Sequence, residues 1–333
     1  MASSPTGFGA GSPSPATVTT NRRSWCNEDV RHYVFELGVG GAFIALSLAP
    51  WVPRDAPFLE RDPALSHPLV SSTVPTTINI VISIVAPAVI MLGLILVGLL
   101  REKASGWGSS SERRQWALTA IVWTGLAFFL CIAMASLATN ATKNYVGRKR
   151  PNFYGKCDYA GYFNSNQTLY LEATAPGAVG SLARCTATAK DLADSQRSFP
   201  SGHATTAFSG LGFLAFALRS ALCVAEGVWF SPLAMLAGSP LALASWIAVT
   251  RVVDGYHNED DIMVGAMIGL LSAYLTWSHL RANAAQRDAH GLLVRGPDRR
   301  GERDAQGSSF KSRTAAPPFP CADPAQHVPP SRA

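Results

Sequence analysis

The sequence predicts an all-α integral membrane protein with six transmembrane helices, and three observations carry that prediction. First, the chain has 333 residues, of which 48% are hydrophobic and only 15% charged. Ordinary soluble domains carry about 25% charge, so this chain lacks the charge to cover a soluble surface. Second, uncharged runs of membrane-crossing length recur along it. Third, its basic residues flank those runs in alternate links. The same numbers exclude disorder across the whole chain. Six cysteines in 333 residues exclude a disulfide-stapled miniprotein. The net charge of +6 would suit nucleic acid if it were clustered. It is dispersed beside apolar runs, so it reads as membrane topology and no nucleic-acid partner is expected.

The elements follow in order. Residues 1–20 are rich in Ser, Thr, Pro, Gly and Ala and cannot bury enough apolar surface to offset ordering entropy. A disordered tail is predicted over 1–30, with no secretory leader because no apolar run lies near Met1. Span one is 33–52, with Glu36 as its one charge. Span two, 78–100, and span three, 116–139, carry none. Span four, 203–223, is interrupted by Arg219; span five, 229–249, contains Pro232 and Pro240; span six, 262–280, has His279 near its end. Pro87 and Pro240 predict kinks that neighbouring helices tolerate. A second tail, 281–333, mixes Arg, Asp, Gly and Pro without apolar periodicity, and reads as disordered.

Orientation follows from Lys and Arg in short flanking segments. Arg22, Arg23 and Arg31 precede span one; Arg101, Lys103, Arg113 and Arg114 join spans two and three; Arg281, Arg287, Arg295, Arg299, Arg300 and Arg303 follow span six. With six spans these segments share one side, the cytoplasm, and both termini lie there. The outer loop, 140–202, then faces outward despite eight basic residues. Long loops obey the rule weakly, and several of these charges have another use.

Three segments put charge where lipid makes it expensive. In the first, Lys143 and Arg150 stand seven apart and Pro151 follows. They would share one face if span three continued to them, with Pro151 ending the helix. Interfacial anchors are the plainer reading of isolated basic residues. The second runs from Ser198 to His203. Ser201 suits an N-cap, Gly202 permits close backbone approach, and free amides at a helix start favour an anion. Alone, it could be only a capped helix start. The third holds Thr250, Arg251, His257 and Asp261. On a helix, the four-residue spacing of His257 and Asp261 would set a carboxylate beside the imidazole. That fixes the tautomer and frees the other nitrogen to attack. Alone, it could be a cap pair. Spans three and five end outside, and spans four and six begin there. All three segments therefore meet on one membrane face. Three cations plus amides suit a phosphoryl group, and two histidines suit a nucleophile and an acid.

With these residues in view, the sequence resembles the type 2 phosphatidic acid phosphatase superfamily, in particular its lipid phosphate phosphatase branch. Lys143 to Arg150-Pro151, then Pro200 to His203, then Arg251 to His257 to Asp261 look like its three-part signature, in order and with the expected spacings. The resemblance covers 143–261 by motif and, through the six-span layout, about 30–280. It implies an all-helical core, with the site at the extracytoplasmic ends of helices three to six. It also implies metal-independent dephosphorylation through a phosphohistidine. His257 would attack phosphorus, oriented by Asp261. His203 would protonate the leaving alkoxide and then activate water. Lys143, Arg150 and Arg251 would hold the phosphate oxygens, with Ser201 and the Gly202 amide. Thr250 departs from the usual Ser but keeps the hydroxyl.

The outer loop carries Cys157 and Cys185, both extracytoplasmic, where disulfides persist, so a bond between them is predicted. Asn166 heads a glycosylation sequon on the same loop. The acidic run Glu259, Asp260 and Asp261 lacks a second cluster of ligands, and no metal or other cofactor is expected. The expected partners are a lipid phosphate and the bilayer, in the plasma membrane or an endomembrane. Phosphatidate, lysophosphatidate, sphingoid phosphate and diacylglycerol pyrophosphate all fit, and homo-oligomers are compatible with the sequence. Three readings compete. A vanadium haloperoxidase would share the anion site but is soluble. A non-catalytic lipid-phosphate binder would typically lack the histidines and Asp261. A channel would place its charges mid-span.

Overall fold

The computed structural model describes residues 22–289 except 50, 107–108, 163–169, 171, 226 and 229. Its long helices are α1, Arg22–Ser47; α2, Thr76–Ala104; and α3, Ser110–Val146. Two short outer helices follow: α4, Phe153–Cys157, and α5, Ala189–Ser195. The bundle is completed by α6, Gly202–Ala221; α7, Pro232–Val253; and α8, Glu259–Ala289. No strand forms among the described residues.

Among the described residues, four helices are long and apolar enough to cross a membrane: α2, α3, α7 and α8. α1 and α6 are not among them. α1 mixes charged residues into its first turns, while α6 is rich in small and hydroxylated residues. The helix ends also differ from the sequence expectation. α1 begins at Arg22, inside the stretch expected as tail, and stops at Ser47 rather than 52. α8 runs on to Ala289, past the expected start of the second tail. The rest of both tails and the Asn166 sequon lie outside the described residues.

Prolines shape two helices without ending them. Pro87 has no N–H for the Ser83 carbonyl one turn back. The backbone there widens into a π turn over Val81–Val85. The Ser83 oxygen lies 1.6 Å from where a Cβ on Gly210 of α6 would stand, so only glycine admits it. Pro240 likewise strands the Leu236 carbonyl, and the Ser239 hydroxyl takes it at 2.8 Å.

α6 is the hub of the bundle. It buries eleven residues, Ala204 and Phe213 among them. Gly265 and Gly269 of α8 let it come close: a Cβ on Gly265 would sit 2.6 Å from the Ser201 carbonyl, and one on Gly269 would sit 2.6 Å from that of Thr205. Small residues one turn apart allow this kind of backbone approach. Asp261 lies one turn before Gly265, so the same stripe brings it to Ser201.

Outside the bundle ends, Phe58, Phe153, Tyr154, Tyr159 and Tyr170 bury a second, aromatic core. Cys157 and Cys185 are bonded at its edge, with Cα atoms 5.1 Å apart. The Thr186 and Ala187 amides donate to the Cys157 carbonyl, each at 3.1 Å. This small core fastens α4 and α5 over the ends of the long helices.

Candidate active site

Four helix ends supply the cluster. α3 brings Lys143 and stops soon after, because Gly147 turns left-handed at φ 63°. A Cβ there would meet the Arg54 carbonyl at 1.9 Å. The helix therefore ends before Pro151, and Lys143 and Arg150 do not share a helix face as the sequence spacing suggested. Arg150 arrives instead on the irregular segment beyond. The Lys143 ammonium donates to the Arg197 carbonyl at 2.9 Å. Its Cε lies 3.6 Å from the position of a Cβ on Gly202, beside the start of α6.

Ser201 caps that start. Its Oγ accepts from the Ala204 amide at 3.4 Å, and its own amide donates to the Asp261 carbonyl at 2.9 Å. First-turn amides have no intrahelical acceptor, so Gly202 and His203 offer theirs to an anion, with the helix dipole behind them. The His203 Nε2 is buried with no hydrogen-bond partner, and the charges of Arg251, Arg150 and Lys143 reach it.

The last turn of α7 carries Arg251, which is only 1% exposed. Its guanidinium donates to the Ser72 Oγ at 2.7 Å, the Asp254 Oδ2 at 2.6 Å, and the Thr250 Oγ1 at 3.1 and 3.2 Å. Thr250 thus does the hydroxyl's work here, anchored in turn on the Ile247 carbonyl at 2.7 Å. The chain then folds back: the Tyr256 and His257 amides both donate to the Arg251 carbonyl, at 3.0 and 3.2 Å. Gly255 takes the positive φ of 67° that this turn requires. His257 therefore lies before α8 rather than on it, contrary to the helical spacing expected. Asp261 occupies the first turn.

The pair still meets. The His257 Nδ1 lies 3.5 Å from the Asp261 Oδ2. On the other side, Arg150 NH1 lies 3.2 Å from the His257 Nε2. A guanidinium can only donate, so Nε2 is the unprotonated nitrogen and Nδ1 carries the proton toward Asp261. Burial pushes the imidazole well below its ordinary value, against the opposing pull of Asp261. At neutral pH it is uncharged, with its lone pair aimed at the cationic end of Arg150.

The structure brings Lys143, Arg150, Ser201, Gly202, His203, Arg251, His257 and Asp261 together. It adds residues whose part the sequence did not reveal. Ser198 donates to the Asp261 Oδ2 at 2.6 Å, and the Asn258 amide donates to the same oxygen at 2.9 Å. Arg148 donates to its Oδ1 at 3.0 Å and also pairs with Asp260. Asp254 ties Arg251 to Thr73, accepting from its amide at 2.9 Å and its hydroxyl at 2.6 Å. Asp194 holds Arg150. Arg148 and Ser198 lay within the charge-bearing segments; Asp194 had no sequence signal.

Residues 124–284 match the family model described as the PAP2 superfamily. The chain is 29% identical over 282 residues to the "Probable diacylglycerol pyrophosphate phosphatase 1" of Schizosaccharomyces pombe, covering 82% of this chain and 91% of that protein. It is 28% identical to the diacylglycerol pyrophosphate phosphatase 1 of Saccharomyces cerevisiae, covering 68% and 72%. Against the lipid phosphate phosphatase 2 of Arabidopsis thaliana it is 31% identical over 150 residues, 44% of this chain and 47% of that protein. No solved structure matches the chain.

Proposed function

The chain belongs to the PAP2 superfamily, and from that premise we propose that it is a membrane phosphatase which removes the phosphomonoester of lipid phosphates through a phosphohistidine on His257. The observation that carries this reading is the His257 imidazole, with Arg150 3.2 Å from its Nε2 and Asp261 3.5 Å from its Nδ1.

Lys143, Arg150, Arg251, Ser201 and the Gly202 amide hold the phosphate oxygens and spread the charge that builds up during transfer. The Nε2 lone pair forms a bond to phosphorus. The P–O bond to the lipid breaks, and its electron pair leaves on the alkoxide, which takes the proton from His203. Asp261 stabilises the positive charge that His257 acquires. Water then attacks phosphorus and gives its proton to His203. The N–P bond breaks, its electrons return to Nε2, and inorganic phosphate departs. The chain's own cations and amides supply the charge stabilisation, so the reaction is metal-independent and no cofactor takes part.

The substrate reading is phosphatidate, converted to diacylglycerol. Lysophosphatidate and sphingoid phosphates present the same group. A second reading, diacylglycerol pyrophosphate, is favoured by the printed names of the two yeast relatives. The membrane layout proposed is six spans, termini in the cytoplasm and the site on the extracytoplasmic face. Arg101, Lys103, Arg113 and Arg114 support it at the end of α2 and α3 away from the site. So does the disulfide on the site's side.

The test is capture of the intermediate. Rapid quenching of the enzyme with radiolabelled phosphatidate should trap label on protein that survives base and is lost in mild acid, as a phosphoramidate is. His257→Ala should trap none. Label that survives acid would place the intermediate on another residue type.

A further inference from the structure

Arg150 brings NH1 to 3.2 Å from the reacting nitrogen, yet its own segment is irregular and offers no helix to fix it. What fixes it is one residue of α5. The Asp194 carbonyl accepts from the Arg150 Nε at 2.8 Å, and the Asp194 Oδ1 accepts from NH2 at 2.8 Å. Two acceptors on one residue hold the guanidinium edge that faces away from the site. Only NH1 is left to point inward, at the His257 Nε2 and the Tyr256 carbonyl, 3.2 and 3.3 Å away.

Asp194 is itself held. Its second carboxylate oxygen pairs with Lys156 of α4. Burial would raise the carboxyl, but the charges of Arg150 and Lys156 outweigh burial and keep it below its ordinary range. The Arg150 amide also donates to the Ser195 carbonyl next door, at 2.9 Å. α4 and α5 are fastened by the aromatic core and the Cys157–Cys185 bond.

We propose that Asp194 is a positioning residue for the phosphoryl-transfer site: it sets the rotation of the Arg150 guanidinium so that NH1 meets the phosphoryl group at His257. This rests on the reading that Arg150 binds that group. Asp194 lies on the outer layer rather than in the helix bundle, so the outer layer is part of the catalytic apparatus and not only its cover.

A double-mutant cycle tests it. The kcat/KM for phosphatidate in detergent micelles is measured for wild type, Asp194→Ala, Arg150→Lys and the double variant, with the thermal midpoint of each. Asp194→Ala should lower kcat/KM by about 10- to 100-fold, the range seen when a group orienting a reactive ligand is removed. In the Arg150→Lys background the same change should cost less than about twofold, because the fork that Asp194 orients is already gone. An equal loss in both backgrounds would overturn the inference, since Asp194 would then act by another route. So would a wild-type rate in Asp194→Ala. A wild-type rate in Arg150→Lys would instead sink the role of Arg150 itself. Should Asp194→Ala fail to fold, Asp194→Asn keeps the volume and a side-chain oxygen that can accept from NH2. It should give a smaller loss, again confined to the Arg150 background.

Discussion

At the scale of single residues, the site is a set of cations each braced by its own acceptor. Arg251 leans on Asp254, Ser72 and Thr250, Arg150 on Asp194, and Lys143 on a carbonyl. Bracing matters because a buried cation is costly unless its donors are satisfied. Thr250 gives a clean test. Thr250→Ser keeps the hydroxyl that Arg251 uses and should leave kcat/KM within about twofold. Thr250→Val leaves two Arg251 donors without that acceptor, a cost of about 1–3 kcal/mol, and should lower kcat/KM by at least tenfold. His257 carries a pH signature. Its folded value lies below the unfolded value of 6.5. As pH falls through that range, the unfolded chain gains a proton that the folded chain refuses, and stability declines. The thermal midpoint in detergent should drop more steeply between pH 7 and 5 for wild type than for His257→Asn. Parallel slopes would contradict the buried neutral imidazole.

At the scale of elements, helix contacts made by missing side chains set the site. Gly265→Ala would push a methyl to 2.6 Å from the Ser201 carbonyl. Overpacking of this kind costs about 1–3 kcal/mol, and here it would also part Asp261 from the start of α6. The expected result is a lower thermal midpoint together with a lower kcat. A loss of stability alone would show that the α6–α8 spacing does not govern catalysis. Reading these elements from sequence succeeded where periodicity and length are strong. The uncharged runs at 78–100 and 116–139 became α2 and α3, and the Ser201 cap became the start of α6. It failed at ends set by other parts of the chain. Gly147 stops α3 because the Arg54 carbonyl fills the space beside it, a contact 93 residues away in sequence. His257 leaves the helix because its amide folds back on Arg251. Asp194 has a neighbour in Arg150 only after α5 docks. Spacing alone shows none of these.

At the scale of the whole molecule, a helical bundle carries an outer layer that is pinned to it. The Cys157–Cys185 bond closes a 28-residue separation. A loop of that size contributes about 3–4 kcal/mol in the chain-entropy account. Replacing both cysteines with serine should lower the thermal midpoint. It should also lower kcat/KM, because α5 carries Asp194. Full activity in that variant would mean the outer layer docks without its covalent tie. The proposed layout also predicts sidedness. A cysteine introduced at Tyr145, which is 76% exposed near the site, should react with an impermeant thiol reagent from outside the cell or from the lumen. One at Lys103 should not.

In the proposed mechanism His257 attacks phosphorus with no help from a metal. The direct measurement is inorganic phosphate released from phosphatidate in detergent micelles with EDTA present, for wild type and for His257→Ala. Release by wild type should be undiminished in EDTA, and the variant should lose at least about a thousandfold, as when a nucleophile is removed. Equal release by both proteins, or abolition of wild-type release by EDTA, would contradict it.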